Sequence, residues 1–199
     1  MGGIANITWL PAEGQILGFD TGPGNTLMDL WIRKHQQVAY DQSGNWAASG
    51  QVQTALLNDM LNDPFFSQAP PKSTGRERFN LKWIESFPIQ KYSSEDVQAT
   101  LAELTAISIS ESITNHAPDC NEAYICGGGS LNSHLIARLK DLAPSIEIAT
   151  TSILGVPANM VEAMAFAWLA RQTINANTGN LSDATGAKGN RILGGIYQA

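Results

Sequence analysis

The sequence has little cysteine and little histidine. Its 199 residues include 2 cysteines and 3 histidines. Cys120 and Cys126 have no second cysteine pair and no His-x-x-x-His nearby, which argues against a structural zinc site. Two cysteines are also too few for a disulfide scaffold, so we expect reduced thiols in a cytoplasmic protein. The scattered histidines form no Ser-His-Asp arrangement, and the sequence shows no dedicated set of metal ligands.

Long apolar runs and excess positive charge are also absent. No run approaches the ~20 apolar residues of a membrane span. Residues 1–11 have neither the basic start nor the apolar stretch of a signal peptide. The net charge of −6 argues against non-specific binding to nucleic acid or an anionic membrane, but it permits a local phosphate site. These absences favour one globular domain, or one compact lobe of a larger protein.

What the sequence does contain predicts an α/β fold. The runs "GIANITWL" and "QILGFD" read as a β-hairpin, which a helical pattern follows. In the second half, "EAYI" and "IEIAT" read as strands that are each followed by a helix, as in parallel α/β structure. Together, the two halves predict a mixed β-sheet flanked by helices.

The segments between these elements are predicted as follows. Residues 39–50 read as a loop, and residues 63–80 as an ordered loop rather than a flexible linker. Ser93 and Asp96 resemble a capping box that opens the longest helix, and Pro157 is predicted in the first turn of the last one. The helix between the two loops is predicted to point four side chains inward: Val52, Leu56, Leu57 and Met60.

Asp20 is the first candidate reacting group. It ends a predicted strand, and Gly22 and Gly24 in the next turn permit positive φ and the close approach of a ligand. A helix beginning at Asn25 or Thr26 directs its first amides towards this turn, which favours an anion. Asp20 is therefore placed to act as a general base or to help hold Mg²⁺. Alternatively, it caps its own loop in an Asx-turn.

The tripeptide Asp-Thr-Gly at residues 20–22 also occurs in aspartic proteases, where two such carboxylates share one proton. This chain has only one copy, so a protease would require a symmetric dimer. A proline and a helix directly after the tripeptide fit that class poorly.

Three further stretches could bind a ligand. The loop "CGGGSLN" lets a nucleotide approach its backbone, or is a tight turn capped by Ser130 or Asn132. Glu162 lies on an apolar helix without a cationic partner, so it faces either solvent or a polar ligand. Residues 72–76 combine two cations and two hydroxyls, which suits a carboxylate or phosphate, or they form a solvated surface loop.

In this order, "GGIANITWLP", "GFDTGPGNTLMD", "PPKSTGRERFN", "ICGGGSLN", "VPANMVEAMAFAWLA" and "GNLSDATGA" resemble the C-terminal half of the anhydro-N-acetylmuramic acid kinase family. The resemblance implies a ribonuclease H-like, actin-type lobe over residues 1–199. It also implies an enzyme that uses ATP and Mg²⁺ to open the 1,6-anhydro ring with water and phosphorylate the sugar 6-oxygen. Such kinases act in cell-wall recycling, and the resemblance suggests a cytoplasmic homodimer that binds neither nucleic acid nor membrane.

The resemblance also assigns roles to residues. It makes Asp20 the catalytic base and Glu162 a sugar ligand. Its cofactor-binding residues are Gly2, Gly3, Asn6, Gly22, Gly24, Gly127, Gly128, Gly129 and Asn132. The predicted substrate loop contributes Lys72, Ser73, Thr74 and Arg76.

One family feature has no counterpart here. The family begins with another lobe that carries a "GTSxDG"-type phosphate loop, and nothing in this sequence matches it. We therefore expect a chain with little kinase activity on its own. The alternative is a non-catalytic nucleotide-binding or assembly module of the same fold.

Overall fold

The hairpin predicted at the start of the chain is present. The structure is a computed structural model that describes residues 1–197, with the backbone alone at residues 183 and 185. Strands β1 (Ile4–Trp9) and β2 (Leu17–Pro23) pair antiparallel, and Asn6 lies opposite Asp20 beside an irregularity in the register. Residues 198 and 199 of the predicted lobe lie outside the described part.

The second pair of strands is parallel, as the strand–helix pattern predicts. Strands β3 (Glu122–Ile125) and β4 (Glu147–Thr150) pair from Glu122 opposite Glu147 onwards. Within residues 1–197 the hairpin and this pair form two separate two-stranded sheets. The prediction of one mixed sheet is thus confirmed for the strand directions and wrong for the continuity, because no hydrogen-bonded ladder joins the two pairs there.

Helices surround both sheets. In chain order they are α1 (Thr26–Gln36), α2 (Asn45–Ser49), α3 (Thr54–Leu61), α4 (Leu81–Glu85), α5 (Ser94–His116), α6 (Ser133–Leu142), α7 (Val161–Ile174) and α8 (Ser182–Thr185). Short 3₁₀ turns lie at Gln42–Gly44, Ile89–Lys91, Gly128–Leu131 and Thr151–Leu154.

The core is built around α5. Every residue from 97 to 106 of this helix is buried, and α1, α2, α3, α6 and both hairpin strands pack against it. Its start follows the predicted cap, since the Ser93 hydroxyl accepts the Asp96 N–H at 3.2 Å. Because α5 is enclosed on all sides, it needs no polar face, and buried hydroxyls such as Thr105 find backbone partners inside the core.

Several local predictions differ from the structure. Residues 39–50 contain a 3₁₀ turn and α2, because the Asp41 carboxylate accepts the N–H groups of Trp46 and Ala47 at 2.9 Å each. Val52 is exposed, since α3 begins two residues after it and helical spacing does not apply there. Pro157 precedes α7 by four residues and belongs to a turn that the Met160 N–H closes.

The chain after β4 is packed quite differently. Among the described side chains beyond residue 150, Ala184 is the buried one. It belongs to α8, which returns to pack against β2. None of the 14 residues of α7, all of which the structure describes, is buried. The last third of the chain therefore contributes little to the core.

Candidate active site

Asp20 is held by the loop at residues 72–74. One oxygen of its carboxylate, Oδ2, accepts the Ser73 hydroxyl at 3.0 Å and the Thr74 N–H at 2.9 Å. The Asp20 N–H donates to the Lys72 carbonyl at 3.0 Å. The other carboxylate oxygen, Oδ1, has no hydrogen-bond partner within residues 1–197. The structure thus joins three residues predicted separately and leaves one oxygen of Asp20 available to a ligand.

The Lys72 side chain holds this loop from the protein interior. Its ammonium donates to the carbonyls of Phe65 and Phe66 at 3.2 and 3.3 Å and lies 4.6 Å from the centre of the Phe65 ring. Burial lowers the pKa of this lysine below its ordinary value. Its role as a substrate ligand stays a prediction, but in the structure its ammonium binds the protein itself. That contact fixes the backbone carbonyl that accepts the Asp20 N–H.

Asp63 stabilises the same loop at its beginning. Its carboxylate accepts the Phe65 N–H at 2.9 Å and the Trp83 indole N–H at 2.8 Å, and it forms an ion pair with Arg78. Burial opposes ionisation of Asp63, but these hydrogen bonds and the Arg78 charge together hold its pKa below the ordinary value. Phe65 and Phe79 pack edge to face at 5.5 Å. The prediction that residues 63–80 are ordered is confirmed.

The turn after Asp20 is closed by the start of the chain. The N–H groups of Gly24 and Thr26 donate to the Gly3 carbonyl at 2.9 and 3.1 Å, and the Asn25 N–H donates to the Gly2 carbonyl at 2.9 Å. A Cβ at Gly24 would stand 2.3 Å from the Gly2 oxygen, so this approach requires glycine. Of the first amides of α1, which the sequence predicts to face an anion, the Thr26 N–H is therefore already bound to a backbone carbonyl.

Gly22 also has a packing role. Its φ is +147°, and a Cβ there would stand 2.8 Å from the Phe66 ring. The space beside Gly22 is thus filled by an aromatic side chain of the loop that holds Asp20. Asn6 lies directly across the hairpin from Asp20 and is exposed, which places its side chain on the same face as the carboxylate.

The glycine loop at residues 127–129 meets this turn. A Cβ at Gly129 would stand 3.2 Å from the Asn25 side-chain oxygen, whereas at Gly128 the nearest atom is 3.6 Å away. Asn25 precedes α1 but makes no side-chain cap. Its carboxamide lies between two glycine turns and has no hydrogen-bond partner among the described residues, so Asn25 is a candidate ligand, whereas its place in the sequence predicts only a helix cap. The sequence feature that indicates this role is the position of Asn25 at the end of the glycine turn "TGPGN".

Asn132 has a different position. Its side-chain oxygen accepts the Leu135 N–H at 3.0 Å, so it caps α6, and its side chain is buried. This is one of the two arrangements that the sequence left open for the loop. Its assignment to a nucleotide stays a prediction, but its oxygen already serves the helix.

Arg76 brings positive charge to the Gly2–Gly3 turn. Its guanidinium lies 2.9 Å from the position a Cβ would take at Gly3, and the side chain is exposed. Asp29, in the first turn of α1, is close enough to interact with this charge. Burial raises the pKa of Asp29 to about 6, although Arg33 and Arg76 oppose the rise. Arg76 is thus a cation beside a backbone turn, an arrangement suited to phosphate.

Glu162 is set apart from these residues. It is exposed in the first turn of α7, and no described side chain pairs with it. The backbone connects its segment to the glycine loop, since the Gly127 N–H donates to the Ala158 carbonyl at 2.8 Å. An open groove of about 590 Å³ lies elsewhere, between α1 and α2. The carboxylate that lines this groove, Asp41, is already bound to the backbone N–H groups of Trp46 and Ala47.

Comparison with known proteins identifies the family. Residues 1–199 match the family model described as anhydro-N-acetylmuramic acid kinase. A kinase of that name from Nitrosomonas europaea is 50% identical over 199 residues, which cover 100% of this chain and 55% of the relative. Relatives of the same name from Thiobacillus denitrificans and Coxiella burnetii are 49% and 48% identical, covering 100% and 99% of this chain and 54% of each relative.

The chain belongs to the anhydro-N-acetylmuramic acid kinase family. This confirms the resemblance drawn from the six ordered motifs. The chain spans about half the length of the curated relatives it matches.

The residues around Asp20 fit the ligands that an anhydro-N-acetylmuramic acid kinase implies. Among the described residues, no group of three or more His, Cys, Asp or Glu side chains could hold a metal ion. A Mg²⁺ ion that phosphate and water coordinate needs only one or two carboxylates, and Asp20 offers a free oxygen. Arg76 and Asn25 offer a charge and a carboxamide to a phosphate. In the described part of the chain, no helix is both long and apolar enough to cross a membrane.

Proposed function

We propose that this chain is one lobe of a two-lobed anhydro-sugar kinase and that Asp20 is its general base. The observation that carries the proposal is the Asp20 carboxylate itself. One oxygen is held by Ser73 and Thr74, and the other is free where the Gly2–Gly3 turn, the Gly22–Gly24 turn and the 72–76 loop meet. A base must present one unbound oxygen in a fixed orientation, and this arrangement does so.

The proposed reaction uses this geometry directly. Asp20 takes a proton from the water that attacks the anomeric carbon of 1,6-anhydro-N-acetylmuramic acid. The bond from that carbon to the 6-oxygen breaks, and the 6-oxygen accepts the γ-phosphoryl group of ATP. The products are N-acetylmuramate 6-phosphate and ADP. General-base catalysis supplies roughly 10²–10⁴-fold, and positioning together with charge stabilisation of the phosphoryl group supplies the rest.

Other residues of the chain have supporting roles in this proposal. Ser73 and Thr74 orient the base, and Lys72 fixes their loop from the protein interior. Arg76 and Asn25 contact phosphate oxygens, together with the backbone of Gly2, Gly3 and Gly127–Gly129. Bound Mg²⁺ would neutralise charge on the phosphates. Glu162 contacts the sugar in the complete, two-lobed enzyme.

The wider context is also part of the proposal. The chain is a ribonuclease H-like lobe of the actin and sugar-kinase type, and the complete enzyme is a cytoplasmic homodimer. The support is the α/β order with a parallel strand pair, the family membership and the motifs quoted above. Because the relatives are almost twice as long, we expect the chain alone to have little or no kinase activity.

The test uses a fusion in which the uncovered portion of the Nitrosomonas europaea kinase precedes residue 1. We expect ATP-dependent phosphorylation of the anhydro sugar by the fusion and not by the chain alone. Asp20→Asn should lower turnover by about 10²–10⁴-fold, the usual contribution of a general base. Sugar binding, measured by calorimetry, should stay within a few-fold. Asp59→Asn, on the exposed side of α3, is the matched control.

Two results would contradict the proposal. Full turnover by the Asp20→Asn fusion would remove Asp20 from the chemistry, and phosphorylation by the unfused chain would show that no second lobe is needed. Binding of ATP by the fusion without any response to the sugar would instead favour the non-catalytic nucleotide-binding module.

A further inference from the structure

Helix α7 exposes a large amount of apolar surface. Met164, Phe166 and Trp168 are 51%, 65% and 51% exposed. The 3₁₀ turn just before the helix adds Ile153 and Leu154, which are also exposed. Single exposed apolar residues are normal, whereas several large ones on one helix and the turn that precedes it indicate an interaction site.

The exposed residues lie on opposite sides of the helix. Met164 and Trp168 are four residues apart and form one stripe, whereas Phe166 lies about 160° around the axis from Met164 at 100° per residue. A helix that is apolar all round is typically enclosed by protein. Among the described residues, the segment after α7 contacts this helix near Leu169 and Thr173.

This geometry distinguishes between two occupants. A second copy of the chain that met the Met164–Trp168 stripe would leave Phe166 in water, because one flat contact covers one side of a helix. A polypeptide that wraps around the helix covers both sides. The kinases that match this chain are almost twice its length, so they contain a portion large enough to do so.

The backbone places the connection to such a portion next to α7. The Met1 amino group donates to the Cys126 carbonyl at 2.5 Å, and the Gly129 N–H donates to the Met1 carbonyl at 3.0 Å. The neighbouring Gly127 N–H is bonded to Ala158, at the approach to α7. A polypeptide joined ahead of residue 1 would therefore enter beside the start of this helix.

We infer that α7 is a docking element whose apolar faces are enclosed by the portion of the kinase polypeptide that this chain does not cover. The inference rests on the proposed function, because it assumes a second lobe. It also explains the position of Glu162. Four residues before Phe166 and on the same side of α7, this carboxylate lies at the edge of the enclosed surface. Docking would bring it to the boundary between the lobes.

Thiol labelling tests the inference without ATP or sugar. Cys120 and Cys126 are first replaced by serine, and Trp168→Cys then places one thiol on the α7 surface. Tyr40→Cys, at an exposed position near the end of α1, is the matched control. In the chain alone we expect both thiols to react freely with a maleimide. In the fusion with the uncovered portion of the Nitrosomonas europaea kinase, the thiol at 168 should react at least ten-fold more slowly, and the control thiol at an unchanged rate.

A second measurement uses Phe166→Asp and thermal unfolding. The substitution should leave the Tm of the chain alone unchanged and lower the Tm of the fusion by several degrees, because only the fusion buries this position. An equal loss in both proteins would show that the helix is already packed within this chain and would overturn the inference.

Other outcomes also decide against it. They are an equal labelling rate at 168 in both proteins, a fusion that fails to fold cooperatively, and slow labelling in a chain that light scattering shows to be a dimer. The last would make a second copy the occupant. Kinase activity of the fusion is measured separately. A protected but inactive fusion contradicts the proposed function alone, and an active but unprotected one contradicts the docking alone.

Discussion

Helices α5 and α7 are packed in opposite ways, although α7 has the more apolar sequence of the two. From residue 97 to residue 106, α5 is buried without interruption, and four helices and two strands pack on it. None of the 14 residues of α7, which are all within the described part, is buried. Both helices have apolar residues on all sides, so the difference does not come from their patterns. It comes from the neighbours that each one has in this chain.

This difference separates the chain into a self-sufficient part and a dependent part. The hairpin, α1 to α6 and the β3–β4 pair supply one another with contacts. The segment from residue 151 onwards has an apolar composition but few partners. The Asp20 site belongs to the first part, whereas Glu162 belongs to the second. The predicted base therefore lies in the well-packed part of this chain, whereas the predicted sugar ligand Glu162 lies in the part with few partners.

The largest expected effect comes from shortening one apolar side chain in each of the two helices. Leu101→Ala in α5 should lower the free energy of unfolding by about 2–5 kcal/mol, because it opens a cavity in a fully packed helix. Met164→Ala in α7 should change it by no more than about 0.5 kcal/mol, as is usual for exposed positions. Urea unfolding measures both. Similar losses at the two positions would show that α7 is packed as tightly as α5.

The second test compares two lysines. Lys72→Met removes the two contacts to the Phe65 and Phe66 carbonyls and should cost about 1–2 kcal/mol, the usual penalty for unpaired buried groups. The Thr74 N–H should exchange with solvent several-fold faster by NMR, since its loop loses its anchor. Lys188→Met, in the exposed segment after α8, should change neither quantity. Unaltered exchange at Thr74 would mean that Lys72 does not hold the loop.

The smallest expected effect concerns two carboxylates in the first turns of α1 and α7. Burial in the folded chain raises the pKa of Asp29 from 3.8 to about 6. Between these two values of pH, the folded chain keeps a proton on Asp29 that the unfolded chain has released. Stability should therefore fall as pH rises from about 4 to 6. Asp29→Asn should remove this fall and stabilise the chain at pH 7 by about 1 kcal/mol, after allowance for solvent screening at this half-exposed group.

Glu162→Gln is the matched control for Asp29→Asn, because Glu162 is exposed and unpaired in the described structure. Thermal unfolding between pH 4 and 7 should be the same for this variant and the parent chain. If Asp29→Asn also left the profile unchanged, burial of Asp29 would not be the cause of its shifted titration.

The sequence predicts the elements of the fold better than their assembly. The two β-rich runs of the hairpin and the Ser93 cap of α5 are local signals, and the structure confirms both. The separation into two sheets depends on contacts between distant segments, which no local pattern contains. The prediction that Val52 points inward is wrong because the helix to which its spacing assigned it begins only at Thr54.

The residues of the candidate site could likewise be predicted one by one more easily than as a group. The local pattern, a carboxylate between a strand and a glycine turn, made Asp20 a candidate but left open whether it reacts or caps its own loop. Its contacts with Ser73 and Thr74 span more than fifty residues of sequence, and only family resemblance placed those residues in one site. The opposite directions of the Lys72 ammonium and the Arg76 guanidinium could not be predicted, because both are cations in one short loop. Burial among Phe65 and Phe66 distinguishes them.

The three hydrogen bonds between Asp20 and residues 72–74 have a consequence for motion. They tie the carboxylate and its loop into one body, which Lys72 and Asp63 secure to the interior. We therefore expect residues 72–74 to stay fixed against the protein interior rather than to open and close over the site as a lid. If two lobes close on a substrate, the base and its hydroxyl would travel together without changing their separation. The hinge for such a closure would have to lie away from this strand and loop, and the orientation of the base would be the same in the open and closed forms.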